Sequence, residues 1–334
     1  MSTLYTRDHY AFETFENTRV AVVGYGSQGR SHALNLRDAG LDVTVGLRPG
    51  GPSWAKAETD GWTPQTVDAA VKGASVVMLL APDTAQPTLF AEAVAPHLED
   101  GDLLLFAHGF NVHFGRLTAP DFVDVGLVAP KGPGNLVRAQ FLAGQGVPCL
   151  VAVHQDPTGR ALARTLAYAD ALNGGRATLL GTTFAEETET DLFGEQAVLC
   201  GGVTELVKAG WETLVEAGYS PDVAYFECLH ELKLIVDLLH EGGLTRMHTF
   251  VSTTASFGDL TRGRRIVGDD VRQRMREVLD DVRQGRFADE WQSEHENGFF
   301  GYETLLENEL NHPIESVGAA LRKRMPWLHR EASA

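Results

Sequence analysis

At 334 residues the chain exceeds the usual size of one domain, so two domains are expected, each long enough to bury its own core. A formal net charge of -17 repels phosphate, which argues against nucleic acid or an anionic membrane as a partner and suits an enzyme that binds cations. No apolar run reaches the roughly 18 residues of a membrane span, and the opening "MSTLYTRDHY" has no signal-peptide core, so a cytoplasmic protein is expected.

From Arg19 to about Thr182 short β-rich runs alternate with helical stretches: "RVAVVG", "DVTVGL", "SVVMLLA", "DLLLFA", "VGLVAP" and "CLVAV". Several are continuously apolar, which fits strands covered on both faces of a parallel sheet, a doubly wound α/β domain. The first run leads into "GYGSQG", Gly24 to Gly29, and then into the helix-forming "RSHALNLRDAG". With a strand before it and a helix after it, this is a dinucleotide-binding turn of the Rossmann type. Gly24 permits the tight turn, Gly26 lets the backbone approach a pyrophosphate, and Gly29 allows close packing of helix on sheet. Tyr25, Ser27 and Gln28 fall within the same turn and join the predicted cofactor site. At the end of the second run, "VGLRPGGPSW" carries Arg48 where an NAD site has an acid for the ribose 2'-hydroxyl. Arginine with nearby Ser53 suits a 2'-phosphate instead, so NADPH is the expected cofactor.

Further loops follow later strand ends, the edge where ligands bind in such sheets. "APDTAQ" brings Asp83 and Gln86 toward the cofactor, "FAHGFN" brings His108, and "VAPKGPGN" brings Lys131 and Gly134. The three cysteines, Cys149, Cys200 and Cys228, lack metal-ligand spacing and sit among apolar neighbours, so reduced core thiols are expected.

After "GTTF" the β-rich runs stop, and nearly everything from Glu186 to Arg330 reads as helix. The expected division is a Rossmann-type domain over 1–182 and an all-helical domain over 183–334, with "HREASA" a frayed tail. Helices at about 191–217 and 222–241 are apolar on most faces, too apolar for an isolated monomer, so a large subunit interface is expected. Within "DLFGEQAVLCGG", Asp191 and Glu195 stand at i,i+4 in a segment apolar enough to be buried, where like charges need a positive counterpart. In "YFECLHELKLIVDLLHE", Glu227 and Glu231 share a helical stripe with Leu234 and Leu238. Four such carboxylates form a hard-oxygen site suited to Mg²⁺, and two ions there could clamp two substrate oxygens at once.

These residues resemble the ketol-acid reductoisomerases of branched-chain amino-acid biosynthesis. The match covers nearly the whole chain and rests on "VGYGSQG", "VGLRPG", "FAHGFN", "VAPKGPG", "ETETDLFGEQ", "ECLHELKLIVDL" and "TRGRRIV" in order. The length is similar to that of the short, class I form, and the resemblance implies a knotted helical domain completed by a second copy in an obligate homodimer or an oligomer of dimers. It implies that Asp191 and Glu195 come from one subunit and Glu227 and Glu231 from the other. It places His108 in the active site, Lys131 near the metal-bound substrate, and Ser252 of "VSTTASFG" on the substrate carboxylate. Glu195 and Glu231 are then the proton-handling carboxylates. The implied reaction is Mg²⁺-dependent alkyl migration in 2-acetolactate or 2-aceto-2-hydroxybutyrate, followed by reduction with NADPH. The chain departs from the family at "TASFG", where Ser256 and Phe257 replace a Glu and a Tyr, and at Gly51, Asn135 and Arg264, which often are Ser, His and Pro. These departures leave open a paralogue acting on a different 2-keto or 2-ketol acid.

Overall fold

The apolar runs form strands because their side chains can be buried on both sides at once. In the computed structural model, which describes residues 3–9, 15 and 18–328, they build an eight-stranded sheet. Its strands are β1 (Leu4–Tyr5), β2 (Arg19–Val23), β3 (Asp42–Gly46), β4 (Val76–Leu79), β5 (Leu103–Phe106), β6 (Asp124–Pro130), β7 (Cys149–Gln155) and β8 (Leu179–Gly181), in spatial order β1-β8-β7-β6-β5-β4-β2-β3. Successive side chains point to opposite faces. Val20, Val22, Met78, Leu103 and Leu105 therefore join one core cluster, while Ala21, Val23, Val77, Leu79, Leu104 and Phe106 join the other. Every one of these is buried, so helices cover both faces, and each Val or Leu contributes about 1.5–3 kcal/mol of burial.

The sheet is not wholly parallel, as the apolar runs suggested. β7 runs antiparallel to β6, and β1 adds an antiparallel edge strand to β8. Strand composition records burial but not direction. β1 and β8 have two and three residues, too short to show a period, and form by pairing with each other and with β7. The strand order reverses at β2, which pairs with β3 on one side and β4 on the other. Such a reversal opens a crevice at the carboxyl ends of the strands, where the glycine-rich turn lies.

The chain separates into two compact units, Met1–Thr190 and Asp191–Ala334, the division falling within the helix Phe184–Gly194. Unit two is helical throughout. Its core is small: Val207, Trp211, Ala224, Tyr225, Ile314, Leu321 and Met325. Many large apolar side chains of this unit are exposed instead, among them Leu199 at 68%, Leu234 at 51%, Phe257 at 66% and Leu305 at 72%. No helix among the described residues is long and apolar enough to cross a membrane. The tail "HREASA" lies outside the described residues.

The two acidic segments are not the continuous α-helices that a 3.6-residue period assumes. Glu195–Leu199 and Phe226–His230 are π-helical turns, a form that recurs at functional sites. Cys200 N donates to the Glu195 carbonyl five residues back, at 3.0 Å. The wider turn also explains the glycines of "LCGG": a Cβ on Gly201 would lie 2.2 Å from the Gln196 carbonyl oxygen, and one on Gly202 would lie 2.1 Å from that of Ala197. The helix that begins at Glu231 breaks where the pattern faded, at Gly242 and Gly243, the latter at φ 67°. Of the three cysteines only Cys149 is buried. Cys228 is half-buried and Cys200 is exposed, because its neighbours Val198 and Leu199 also face outward in this chain.

Candidate active site

β2 runs into Gly24, whose φ of +103° only glycine adopts freely, and a Cβ there would lie 2.6 Å from the Leu80 carbonyl oxygen. Gly29 packs as closely: its Cβ would lie 2.2 Å from the Gly24 carbonyl oxygen. Gly26 is different, with nothing within 4 Å of an added Cβ. It caps the helix Ser27–Asp38 with no side chain accepting from the first amides, so open space and donors meet at one helix N-terminus. Gln28 donates to the Gly132 carbonyl at 3.0 Å, and its other amide atom, Oε1, is buried with no partner. Gly134 presses on the same turn, since a Cβ there would lie 2.2 Å from the Ser27 carbonyl oxygen. A cradle left open at Gly26 and an orphaned buried amide oxygen fit a dinucleotide.

Tyr25 is buried and its hydroxyl donates to Asp60 at 2.9 Å. Burial first, and then the Asp60 hydrogen bond and charge, push the phenol above its ordinary range, so it stays protonated. Arg30 grips the same carboxylate with two bonds of 2.6 and 2.8 Å, which holds Asp60 below the usual carboxylate range against its partial burial. A cleft of about 320 Å³ opens beside the turn, lined by Gly26, Ser27, Ser53, Lys56 and Asn135 among others. Ser53, expected at the cofactor, is among the residues that line this cleft. Arg48 is exposed and does not line this cleft. The loop holding Asp83 and Gln86 is tied to the next one, because Asn111 Nδ2 donates to the Asp83 carbonyl at 2.9 Å and to Gln86 Oε1 at 3.0 Å.

His108 follows β5 and Lys131 follows β6, neighbouring parallel strands, so both emerge at one edge of the sheet. A residue the sequence reading did not single out joins them. Glu187, 1% exposed, accepts from Lys131 Nζ at 2.9 Å and from the Gly109 amide at 3.0 Å, and lies 3.2 Å from His108 Nδ1. Burial alone would raise its pKa. The hydrogen bond and charge of His108, then those of Lys131, outweigh burial and hold it below the ordinary range. Glu187 stands one helical turn before Asp191 in "ETETD", so a run of acids at i,i+4 was the available signal.

In unit two, Asp191 is half-buried, whereas Glu195, Glu227 and Glu231 are exposed. The buried segment expected around these acids is therefore not buried within one chain. The stripe of Glu227, Glu231 and Leu234 faces outward, and the opposite side, with Tyr225, Leu229 and Leu232, packs on the core. Among the described residues no three of the four acids bring carboxylate oxygens within 4.8 Å of one another. Ser252 caps the helix Thr253–Ile266, its Oγ accepting from Ala255 N at 3.1 Å. One turn on, Ser256 Oγ lies 3.0 Å from His248 Nδ1.

Comparison with known proteins accords with both units. Residues 14–178 match the family model "Acetohydroxy acid isomeroreductase, NADPH-binding domain", and residues 184–327 match "Ketol-acid reductoisomerase, C-terminal domain". The chain is 54% identical over 331 residues to the ketol-acid reductoisomerase (NADP(+)) of Xylella fastidiosa, covering 99% of this chain and 95% of that protein. It is 55% identical over 316 residues to that of Xanthomonas oryzae pv. oryzae, covering 95% of each. A solved structure, an NADH-preferring ketol-acid reductoisomerase from an uncultured archaeon, superposes with a TM-score of 0.93 at 43% identity, covering 96% of this chain and 98% of that one. With an NADPH-binding sheet domain and a matching helical domain, the chain belongs to the ketol-acid reductoisomerase family of enzymes.

Proposed function

We propose that the protein is an NADPH- and Mg²⁺-dependent ketol-acid reductoisomerase of branched-chain amino-acid biosynthesis, acting in the cytoplasm. Its substrate is 2-acetolactate or 2-aceto-2-hydroxybutyrate and its product the 2,3-dihydroxy acid. The observation that carries the reading is the buried Glu187 carboxylate fixing Lys131 and His108 at the strand edge beside the dinucleotide turn. The relatives' name, ketol-acid reductoisomerase (NADP(+)), supports the reaction and the cofactor.

In this reading Gly24, Tyr25, Gly26, Ser27, Gln28 and Gly29 hold the pyrophosphate through backbone amides, with Gly134 closing the cradle. Arg48 and Ser53 take the 2'-phosphate, and Asp83 and Gln86 flank the rest of the cofactor, which supplies the hydride. Asp191, Glu195, Glu227 and Glu231 offer only hard oxygen donors, a set that fits Mg²⁺ and not a soft metal. Two such ions, when bound, polarise the ketol oxygens. Glu195 and Glu231 handle the hydroxyl proton, and Lys131 donates to a substrate oxygen while Glu187 keeps it in register. His108, anchored by the same carboxylate, lines the reacting centre. Ser252 meets the substrate carboxylate at a helix N-terminus, where the partial positive charge favours an anion.

The assembly in this reading is an obligate homodimer, alone or in an oligomer of dimers, in which a second copy covers the exposed apolar faces of unit two. Each site then takes Asp191 and Glu195 from one copy and Glu227 and Glu231 from the other. The outward-facing acids and the exposed Leu199 and Leu234 beside them support this arrangement.

Ser256 gives the reading a test of specificity. It is shorter than the family's glutamate and uncharged, so the pocket should be roomier near the migrating group and should favour 2-aceto-2-hydroxybutyrate. One methylene better accommodated is worth about 1–3 kcal/mol, so Ser256→Glu should shift the ratio of kcat/KM toward 2-acetolactate without an absolute switch. An unchanged ratio with both rates intact would place Ser256 outside the pocket. The reaction itself is tested by product analysis: incubation with 2-acetolactate, NADPH and Mg²⁺ should yield 2,3-dihydroxy-3-methylbutanoate, one NADPH being oxidised per molecule formed. Recovery of unreacted 2-acetolactate would refute the assignment.

A further inference from the structure

Two cationic side chains line the cleft beside the glycine-rich turn, Arg30 and Lys56. They are not equivalent. Arg30 is engaged, with Nε 2.6 Å and Nη2 2.8 Å from the two oxygens of Asp60, and Tyr25 holds the same carboxylate from the other side. Among the described residues the Lys56 side chain makes no hydrogen bond or ion pair. The Lys56 ammonium feels Asp60 only through space, so its hydrogen-bonding capacity in the cleft is open to a ligand.

Its position favours one phosphate over another. Lys56 stands on the helix Pro52–Thr59, three residues after Ser53, so the two side chains share a helix face, and both line the cleft. That helix follows β3, whose carboxyl end faces the adenine ribose in this fold, whereas the pyrophosphate lies at the N-terminus of the helix Ser27–Asp38. Gly51, at the N-cap of the Lys56 helix, supplies no hydroxyl, and Arg48 stays exposed outside the cleft. A 2'-phosphate that Arg48 meets from outside the cleft would have the Ser53 hydroxyl and the Lys56 ammonium on its inner side.

We propose that Lys56 is a specificity-determining residue that selects NADPH over NADH by pairing with the 2'-phosphate next to Ser53. The inference rests on the reading that this domain holds NADPH at the glycine-rich turn. A single charge-assisted contact to phosphate, lost without other change, corresponds to about tenfold or more in affinity.

Equilibrium binding tests it without turnover. Dissociation constants for NADPH and NADH, and for adenosine 2',5'-bisphosphate and 5'-AMP, would be measured by titration calorimetry on the full-length protein, Lys56→Ala and Lys56→Arg. The expected result is weaker binding of NADPH and the bisphosphate to Lys56→Ala by about tenfold or more, with NADH and 5'-AMP within about twofold, and substantial recovery in Lys56→Arg. Unchanged NADH affinity doubles as the check that the variant is folded. NADPH binding within about twofold of the parent would overturn the proposal. Equal losses for NADPH and NADH would also overturn it, assigning Lys56 to the pyrophosphate or to the fold. Failure of the parent protein to bind NADPH at all would instead overturn the cofactor reading, and the proposal with it.

Discussion

Replacing Glu187 with alanine is expected to lower kcat with 2-acetolactate by about 10²–10³-fold while leaving the affinity for NADPH nearly unchanged. The carboxylate accepts from Lys131 and from the Gly109 amide and lies beside His108, so its loss releases both candidate catalytic side chains at once. It also removes the partner of a charge at a buried carboxylate. Breaking a fully buried pair costs about 3–5 kcal/mol, but Lys131 keeps 32% and His108 21% of side-chain exposure, so a loss of about 2–3 kcal/mol is expected. Glu187→Gln, which keeps the shape and can still accept, should be milder in both measurements. The sign of the pH dependence follows from the lowered pKa. A carboxylate whose folded value lies below its unfolded one contributes stability above the unfolded value, about 4.3, and loses it as pH falls through the folded value. The stability gap between the parent and Glu187→Gln should therefore close in acid. Equal kcat in parent and alanine variant would remove Glu187 from the site.

A second large effect concerns the four carboxylates. Asp191→Ala and Glu227→Ala should each abolish measurable turnover as pure proteins, because each deprives every site of a ligand. Co-expressed in equal amounts, they should recover about a quarter of parental activity: half of the dimers are hybrids, and each hybrid has one intact site of two. The recovery is specific to sites divided between subunits. Activity that remained at background in verified hybrids would place all four ligands within one chain.

How much of this was legible follows from what each signal encodes. Strands β2 to β7 were readable because their apolar runs record burial on two faces, as Val22 and Val23 illustrate by joining different cores. The direction of β7 was not readable, since its residues would look the same in either orientation. The edge pair β1 and β8 was too short to carry a pattern. The glycine-rich turn was legible because Gly24 and Gly29 answer steric demands that no other residue meets, while Gly26 between them keeps space open for a ligand. Glu187 lacked such a signal. In "EETET" one acid is buried and the other two are not, and only the fold brings Lys131 and His108 to it. Lys56 was passed over for the same reason, while Arg48 drew notice by its place after β3. The acids at 195, 227 and 231 looked buried because their neighbours are apolar, but a sequence does not distinguish a core within one chain from a face that a second chain covers.

Whether this chain isomerises as well as reduces a 2-ketol acid is decided by NADPH oxidation with two substrates. One is 2-acetolactate, which needs alkyl migration before reduction. The other is 3-hydroxy-3-methyl-2-oxobutanoate, the already rearranged keto acid. NADPH should be oxidised with both in the presence of Mg²⁺, and the 2-acetolactate reaction should be lost when the metal is chelated. Oxidation with the keto acid but none with 2-acetolactate, at any Mg²⁺ concentration, would contradict the proposed isomerisation.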